Sequence, residues 1–255
     1  MRVAVIGATG RIGQLVHRAL ESGEHTVVPI SRAHGVDVRS GHGLKAALEG
    51  ADAVVDVTNS TDPDPAATVD FFTEATRRLL AAERAAGVGH HVVLSIAGLR
   101  KVTGNAHYEG KRAQEAQVTE GAVPYTIVPA TQFHDFAEMV ASWTETDGVA
   151  QLPPLLIQPV APADVADVLA TVATSAPQGR HVDVAGPDPQ DLVDMARRTH
   201  AVRGREVALV PSWRTGIFDA EMAGEVLLPS ADALIAPTSF DTWLAQQAAA
   251  TDGEE

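Results

Sequence analysis

Up to about residue 130 the chain alternates short, almost wholly apolar runs with longer stretches whose apolar residues recur every three or four positions. The runs RVAVIG (2–7), HTVVPIS (25–31), DAVVDVT (52–58), HHVVLSI (90–96) and PYTIVPA (124–130) read as strands. Continuous Val/Ile runs, rather than a strict apolar/polar alternation, suit parallel strands buried on both faces. Between them, 11–22, 41–49, 66–86 and about 108–120 have helical composition and spacing. This βαβα rhythm predicts an α/β fold with a parallel sheet, helices on both sides and right-handed crossovers.

Beyond residue 130 the rhythm breaks. FHDFAEMVASW (133–143) has helical spacing, and GVAQLPPLLIQPV (148–160) is Pro-rich, predicting irregular chain with a short strand. PADVADVLATVATS (162–175) predicts a helix with Pro162 in its first turn, where a missing N–H costs nothing. GRHVDVAGP (179–187) reads as a late strand, followed by helices near 188–200 and 239–249. The expectation is a Rossmann-type doubly wound parallel sheet with a small C-terminal substrate-side lobe. In that reading residues 1–245 form one domain, with a core over about 1–130 and the lobe over about 131–245. The acidic end, 246–255, is expected to be a disordered tail.

Composition narrows the function classes. Hydrophobic residues make up 45% of 255, enough for a sizeable core. The net charge is −14 and no Lys/Arg block occurs, so nucleic acid is not an expected partner. There is no cysteine, which removes disulfides, thiolate nucleophiles and Cys-ligated zinc. Apolar runs fall short of the about 20 residues that span a bilayer, so no membrane partner is expected. The opening residues enter a strand pattern directly, without the basic and apolar regions of a signal peptide. A cytoplasmic protein acting on a small molecule is the default expectation, and a homo-oligomer stays open.

Candidate chemistry begins at Gly7, Gly10 and Gly13, a G-x-x-G-x-x-G turn between the first strand and first helix. Such a turn lets backbone approach a pyrophosphate, while the helix N-terminus offers N–H donors and a positive dipole end. The spacing differs by one residue from the dinucleotide fingerprint. Thr9, Arg11 and Ile12 lie in the same loop. At the end of the second strand, where an NAD-preferring site places an acid, this chain has Ser31 and Arg32. With Arg11 they suit a 2′-phosphate, which predicts NADP(H) rather than NAD(H).

With GATGRIG (7–13), TN (58–59), SIAG (95–98) and KRAQE (111–115), the chain resembles the atypical short-chain dehydrogenase/reductases, and within them the NmrA-like, NAD(P)H-binding branch. YTIVPATQFHDF (125–136) and PVAPADVADVLA (159–170) are similar to segments of bacterial members. The resemblance implies further cofactor contacts: Asp37 and Val38 at the adenine, Thr58, Asn59 and Ser60 beside the phosphates and ribose, and Pro129, Ala130 and Thr131 against the nicotinamide. All lie at carboxyl ends of the strands, where open α/β sheets bind ligands. Asp37 also has the plain reading of a turn former, and 58–60 that of a polar loop.

In this superfamily a Tyr and a Lys stand four residues apart on a helix, one turn apart on one face. The resemblance implies that Lys111 holds the nicotinamide ribose and that Ser95 orients the reacting oxygen. Four residues before Lys111 stands His107, not Tyr, and Tyr108 is three before it. Tyr108 serves as the acid if the helix starts late; His107 serves if its pKa stays near about 6.5; otherwise neither acts. Phe133, His134 and Phe136, just past the nicotinamide loop, are expected to line the substrate pocket. His134 and Glu138 have helical spacing but no third ligand in view, so no metal is expected. His90 and His91 read as structural. The leading expectation is an NADPH-dependent reductase of a small carbonyl, enone or quinone-like compound. The alternatives are an NADP(H)-binding sensor with little turnover, or a lyase or isomerase on the same fold.

Overall fold

The computed structural model describes residues 1–60, 62, 64–214 and 218–252. The chain divides into two compact units, Met1–Pro129 with Val165–Val182, and Ala130–Asp164 with Asp183 onward.

The first unit is built on β1 (Arg2–Ile6), β2 (Thr26–Ile30), β3 (Ala53–Asp56), β4 (His90–Ile96) and β5 (Tyr125–Ala130), whose last residue belongs to the second unit. Their order is β2-β1-β3-β4-β5. The pairs β1–β2, β1–β3 and β3–β4 are parallel, with Val3 opposite both Val27 and Ala53. Val3, Ala4, Val5 and Ile6 are all fully buried, as a strand covered on both faces requires. Ile6, Ile30, Val54, Leu44 and Leu79 share one core cluster. The five expected strands are all present and the sheet is of the Rossmann type.

Helix α1 (Arg11–Ser22) buries Gly13, Val16 and Leu20, residues three or four apart. Helix α2 is shorter than the expected 41–49: it covers only Leu44–Ala47, because turns between Asp37 and Gly43 use the preceding chain. Helix α3 (Pro65–Ala86) starts on Asp64, whose carboxylate accepts from the Ala66 N–H, and stops at Gly87, φ +73°. It buries Phe72, Leu79 and also Glu83, which holds Nδ1 of the fully buried His91 at 2.8 Å. His90 bonds Thr126 at 2.8 Å, so both histidines are structural, as expected. Helix α4 (Ala106–Glu120) approaches α3 closely: a Cβ on Gly110 would lie 2.4 Å from the Phe72 ring. Most of α6 (Pro162–Ala173) belongs to this unit, as does β8 (Gly179–Arg180), which pairs parallel with β5.

The second unit has smaller pieces. Helix α5 (Phe136–Thr144) leads into β6 (Val149–Leu152), which pairs parallel with β11 (Ala208–Pro211). The Pro-rich stretch holds a second strand, β7 (Leu156–Ile157), antiparallel to β10 (Gln190–Asp191). The expected late strand over 179–187 divides into β8, in the first unit, and β9 (Val184–Ala185), paired with Ala130 and with β12 (Leu234–Ile235). Helix α7 (Leu192–Val202) starts later than expected because Asp191 caps it, accepting from the Asp194 N–H at 2.9 Å. Helix α8 (Phe240–Asp252) runs through most of the expected tail; residues 253–255 lie outside the described residues.

Candidate cofactor cradle and active site

The glycine loop is crowded at two positions and open at the third. Gly7 has φ +85°, and a Cβ there would lie 3.2 Å from the Val57 carbonyl oxygen. A Cβ on Gly13 would sit 2.2 Å from the Gly7 carbonyl oxygen and 2.8 Å from the Ala8 Cα, so only glycine lets α1 close onto β1. At Gly10 the backbone is extended and a Cβ would meet only the Gly7 carbonyl oxygen, at 3.1 Å. Gly10 is the N-cap of α1 yet supplies no side-chain cap, and the first turn carries no acidic residue. The N-cap residue thus brings no side chain to the turn's N–H groups, which fits a phosphate ligand. Gln14 donates to the Thr9 carbonyl at 3.0 Å and steadies the loop. Thr9 and Arg11 are exposed and Ile12 is half-buried.

Beside the loop, Ser31 bonds His34 Nδ1 at 2.8 Å, and Arg32 opens an exposed 3-10 turn over Arg32–His34. Asp37 accepts from the Arg39 N–H at 3.0 Å, while the Gly41 N–H donates to the Asp37 carbonyl at 2.8 Å. Partial burial raises the Asp37 carboxyl, but bonds from Ser40 and the Arg39 and Ser40 amides, with Arg32 nearby, hold it below its usual value. Its geometry is that of a turn former, and Val38 packs against the core.

The third wall is the chain after β3. The Thr58 N–H donates to Asp56 Oδ1 at 2.9 Å, Asn59 is exposed, and Ser60 bonds Thr68 at 3.1 Å. Here Lys111 enters from α4. It is 5% exposed, and its ammonium donates to the Leu94 carbonyl at 3.0 Å, to Gln114 Oε1 at 2.9 Å and, at 3.5 Å, to the Thr58 carbonyl. The Phe72 ring lies 4.8 Å away on α3. Gln114 in turn donates to Asp56 Oδ2 at 2.9 Å. Burial lowers the Lys111 pKa to about 8, against the raising effects of Asp56 and Glu115.

Helix α4 and the end of β4 carry the residues expected to handle protons. The helix does not start late: Asn105 caps it, accepting from the His107 and Tyr108 N–H groups at 3.0 and 3.3 Å, so both residues lie in its first turn. Tyr108 is buried there. His107 packs edge-on against Phe72, the ring that the Lys111 ammonium also faces. Burial, helped by the Lys111 charge, lowers its pKa to about 4, so at neutral pH it is an uncharged imidazole and not a cationic acid. Ser95, at the end of β4, is 3% exposed and donates to Glu115 Oε1 at 2.5 Å. Glu115 Oε2 is held at 2.9 Å by Arg180 of β8.

Residues 7–176 match the NAD(P)H-binding family, two thirds of the chain. The chain belongs to that family. No curated protein matches its sequence. Among solved structures it is similar to a short-chain dehydrogenase/reductase superfamily protein from Agrobacterium tumefaciens with bound NAD, at 16% identity and TM-score 0.73, covering 100% of this chain and 98% of that one. It is also similar to triphenylmethane reductase from Citrobacter sp. complexed with NADP(H), at 19% identity and TM-score 0.63, over 83% and 79%. A third is the NADPH-dependent quinone oxidoreductase of Escherichia coli complexed with NADPH, at 16% identity and TM-score 0.68, over 96% and 99%. At these identities the likeness is one of fold.

The remaining expected residues of this NAD(P)H-binding protein lie at the end of β5 and in the second unit. Pro129 closes the first unit's stretch of β5; Ala130 pairs with Val184, and Thr131 donates its hydroxyl to the Gln158 carbonyl at 2.6 Å. Phe133 pairs with Val160, and Phe136 packs edge-on against Phe218 at 6.0 Å. His134 is 1% exposed, bonds the Thr238 carbonyl at 3.0 Å and packs against Phe240 and Trp243. It is a packing residue of this unit. Glu138 pairs with Arg203 at 3.0 Å, and no metal-ligating cluster occurs among the described residues. No helix is long and apolar enough to cross a membrane among them. Asp56, Gln114, Arg180 and His34 were missed by the sequence reading. Only Gln114 carried a signal, three residues after Lys111 on the same helix face.

Proposed function

We propose that this NAD(P)H-binding protein is an NADPH-dependent reductase of a small acceptor, quinone-like or an enone ahead of a simple carbonyl. Gly7, Thr9, Gly10, Arg11, Ile12 and Gly13 would cradle the pyrophosphate, Ser31 and Arg32 the 2′-phosphate, and Asp37 and Val38 the adenine. Thr58, Asn59, Ser60 and Lys111 would hold the riboses, with Pro129, Ala130 and Thr131 against the nicotinamide. The cofactor, when bound, supplies a hydride. The single observation that carries the reading is Lys111. Its buried ammonium stands at the Thr58 carbonyl, beside the strand end that meets Gly7. A cation kept in so dry a place stabilises negative charge far better than one in water.

The chain's own residues favour the acceptor class. His107, as a neutral imidazole, can donate a hydrogen bond but gives up no proton readily, its pKa being about 4. Ser95 has its proton committed to Glu115. Reduction of an isolated ketone leaves a strongly basic alkoxide that needs an acid at hand. A quinone or enone leaves a delocalised, weakly basic oxygen that water protonates, and Lys111 suffices to balance its charge. The deciding experiment is an NADPH-oxidation screen over quinones, enones and ketones, run beside a binding titration; turnover is expected on quinones or enones first. The His107 substitution at the tyrosine register also favours a second reading, an NADP(H) sensor. Tight binding with no turnover on any compound would decide for it.

A further inference from the structure

We infer that Asp56 and Gln114 are positioning residues that hold the Lys111 ammonium at the mouth of the cradle through a buried carboxylate–amide–ammonium relay; the inference rests on the reading that Lys111 serves the cofactor. Asp56 and Gln114 are each 1% exposed, and the relay has two links of 2.9 Å. A buried polar chain of this kind is costly unless each member is satisfied, and here each one is. The amide of Gln114 is oriented by its two partners: its NH2 must face the carboxylate, so its oxygen must face the ammonium. Asp56 is also fixed from its other oxygen, by the Thr58 N–H. The relay therefore ties the lysine to the loop after β3 that would touch the cofactor.

The groups around the ammonium come from each neighbouring element. Asp56 ends β3, β4 presents the Leu94 carbonyl, α3 presents the uncharged Phe72 ring, and α4 itself brings His107 and Glu115. Glu115 is spoken for by Ser95 and Arg180. Asp56 and Gln114 thus supply the counter-charge and the oriented acceptor that keep Lys111 a cation despite its burial, near a pKa of about 8.

The chain has three lysines, Lys45, Lys101 and Lys111, so 13C-lysine labelling gives three side-chain signals, assigned with Lys111→Met. Their pH titration would be followed in wild type, Asp56→Asn and Gln114→Met, and NADPH affinity measured over the same pH range. The Lys111 midpoint is expected to fall by about one pH unit or more in either variant, and the pH at which NADPH affinity drops to fall with it. Gln114→Met keeps the test open if Asp56→Asn does not fold. A Lys111 midpoint unchanged in the folded variants overturns the relay. If the wild-type midpoint is seen but NADPH affinity ignores it, the relay stands as an internal device and Lys111's service to the cofactor falls.

Discussion

His107 stands one helical turn before Lys111 on α4, and its surroundings keep it neutral at physiological pH. His107→Tyr should return an acid to that register. Ketone turnover is expected to rise by roughly a hundredfold, the low end of what general acids contribute, read as kcat with NADPH saturating. No gain in a well-folded variant would show that the register does not face an acceptor. The second residue-scale prediction concerns Arg32, exposed beside Ser31 at the end of β2. NADPH should bind more tightly than NADH, and Arg32→Ala should narrow the gap by roughly 1–3 kcal/mol, the worth of charged hydrogen bonds. Equal affinities in the wild type would remove the 2′-phosphate assignment. At this scale the sequence was a partial guide. Lys111 was legible from its motif, whereas Asp56 lies 58 positions from Gln114 and no local pattern announces their contact. The pKa of His107 was illegible for the same reason, since it depends on burial against a helix distant in sequence.

Among elements, the strand-to-helix turn of β1 and α1 separates a structural glycine from a ligand-facing one. At Gly13 an added side chain meets backbone at 2.2 Å, so Gly13→Val should fail to fold or melt far below wild type. At Gly10 the nearest obstacle is one oxygen at 3.1 Å, and φ −74° suits any residue. Gly10→Val should keep the wild-type circular dichroism and lose NADPH binding in a fluorescence titration. Undiminished binding would show that the loop is only a turn. The strands were legible because burial on both faces writes itself as unbroken Val/Ile runs, as in β1 and β3. Helix α4 was legible in extent but not in meaning, since its buried face carries Lys111, Gln114 and Glu115 where a core helix would carry leucines. Elements of two to four residues, such as β7, β10 and α2, are too short for periodicity to mark. The place of α6 in the first unit follows from contacts distant in sequence, which no local pattern shows.

For the whole molecule, Lys111 couples stability to pH in two opposing directions. Its folded pKa is about 8 against 10.5 for the free side chain. A group with a depressed folded value binds fewer protons when folded, so stability is greatest above 10.5 and is lost as pH falls through 8. The full swing is on the order of 3 kcal/mol, from about 1.4 kcal/mol per pH unit. Apo protein should therefore gain stability from pH 8 to about 9.5, once Lys111→Met is subtracted to remove the growing self-repulsion of a chain already at −14. Bound NADPH should reverse the trend. Ligand at about a hundred times its Kd stabilises by about 2.7 kcal/mol, and that increment should shrink over the same window as the ammonium loses its proton. Thermal melts of both proteins, with and without NADPH, at half-unit steps of pH would show it. Parallel slopes with and without NADPH would mean that the cofactor does not sense the charge on Lys111. Opposite slopes, absent in Lys111→Met, would place that one buried cation in contact with both the fold and its ligand.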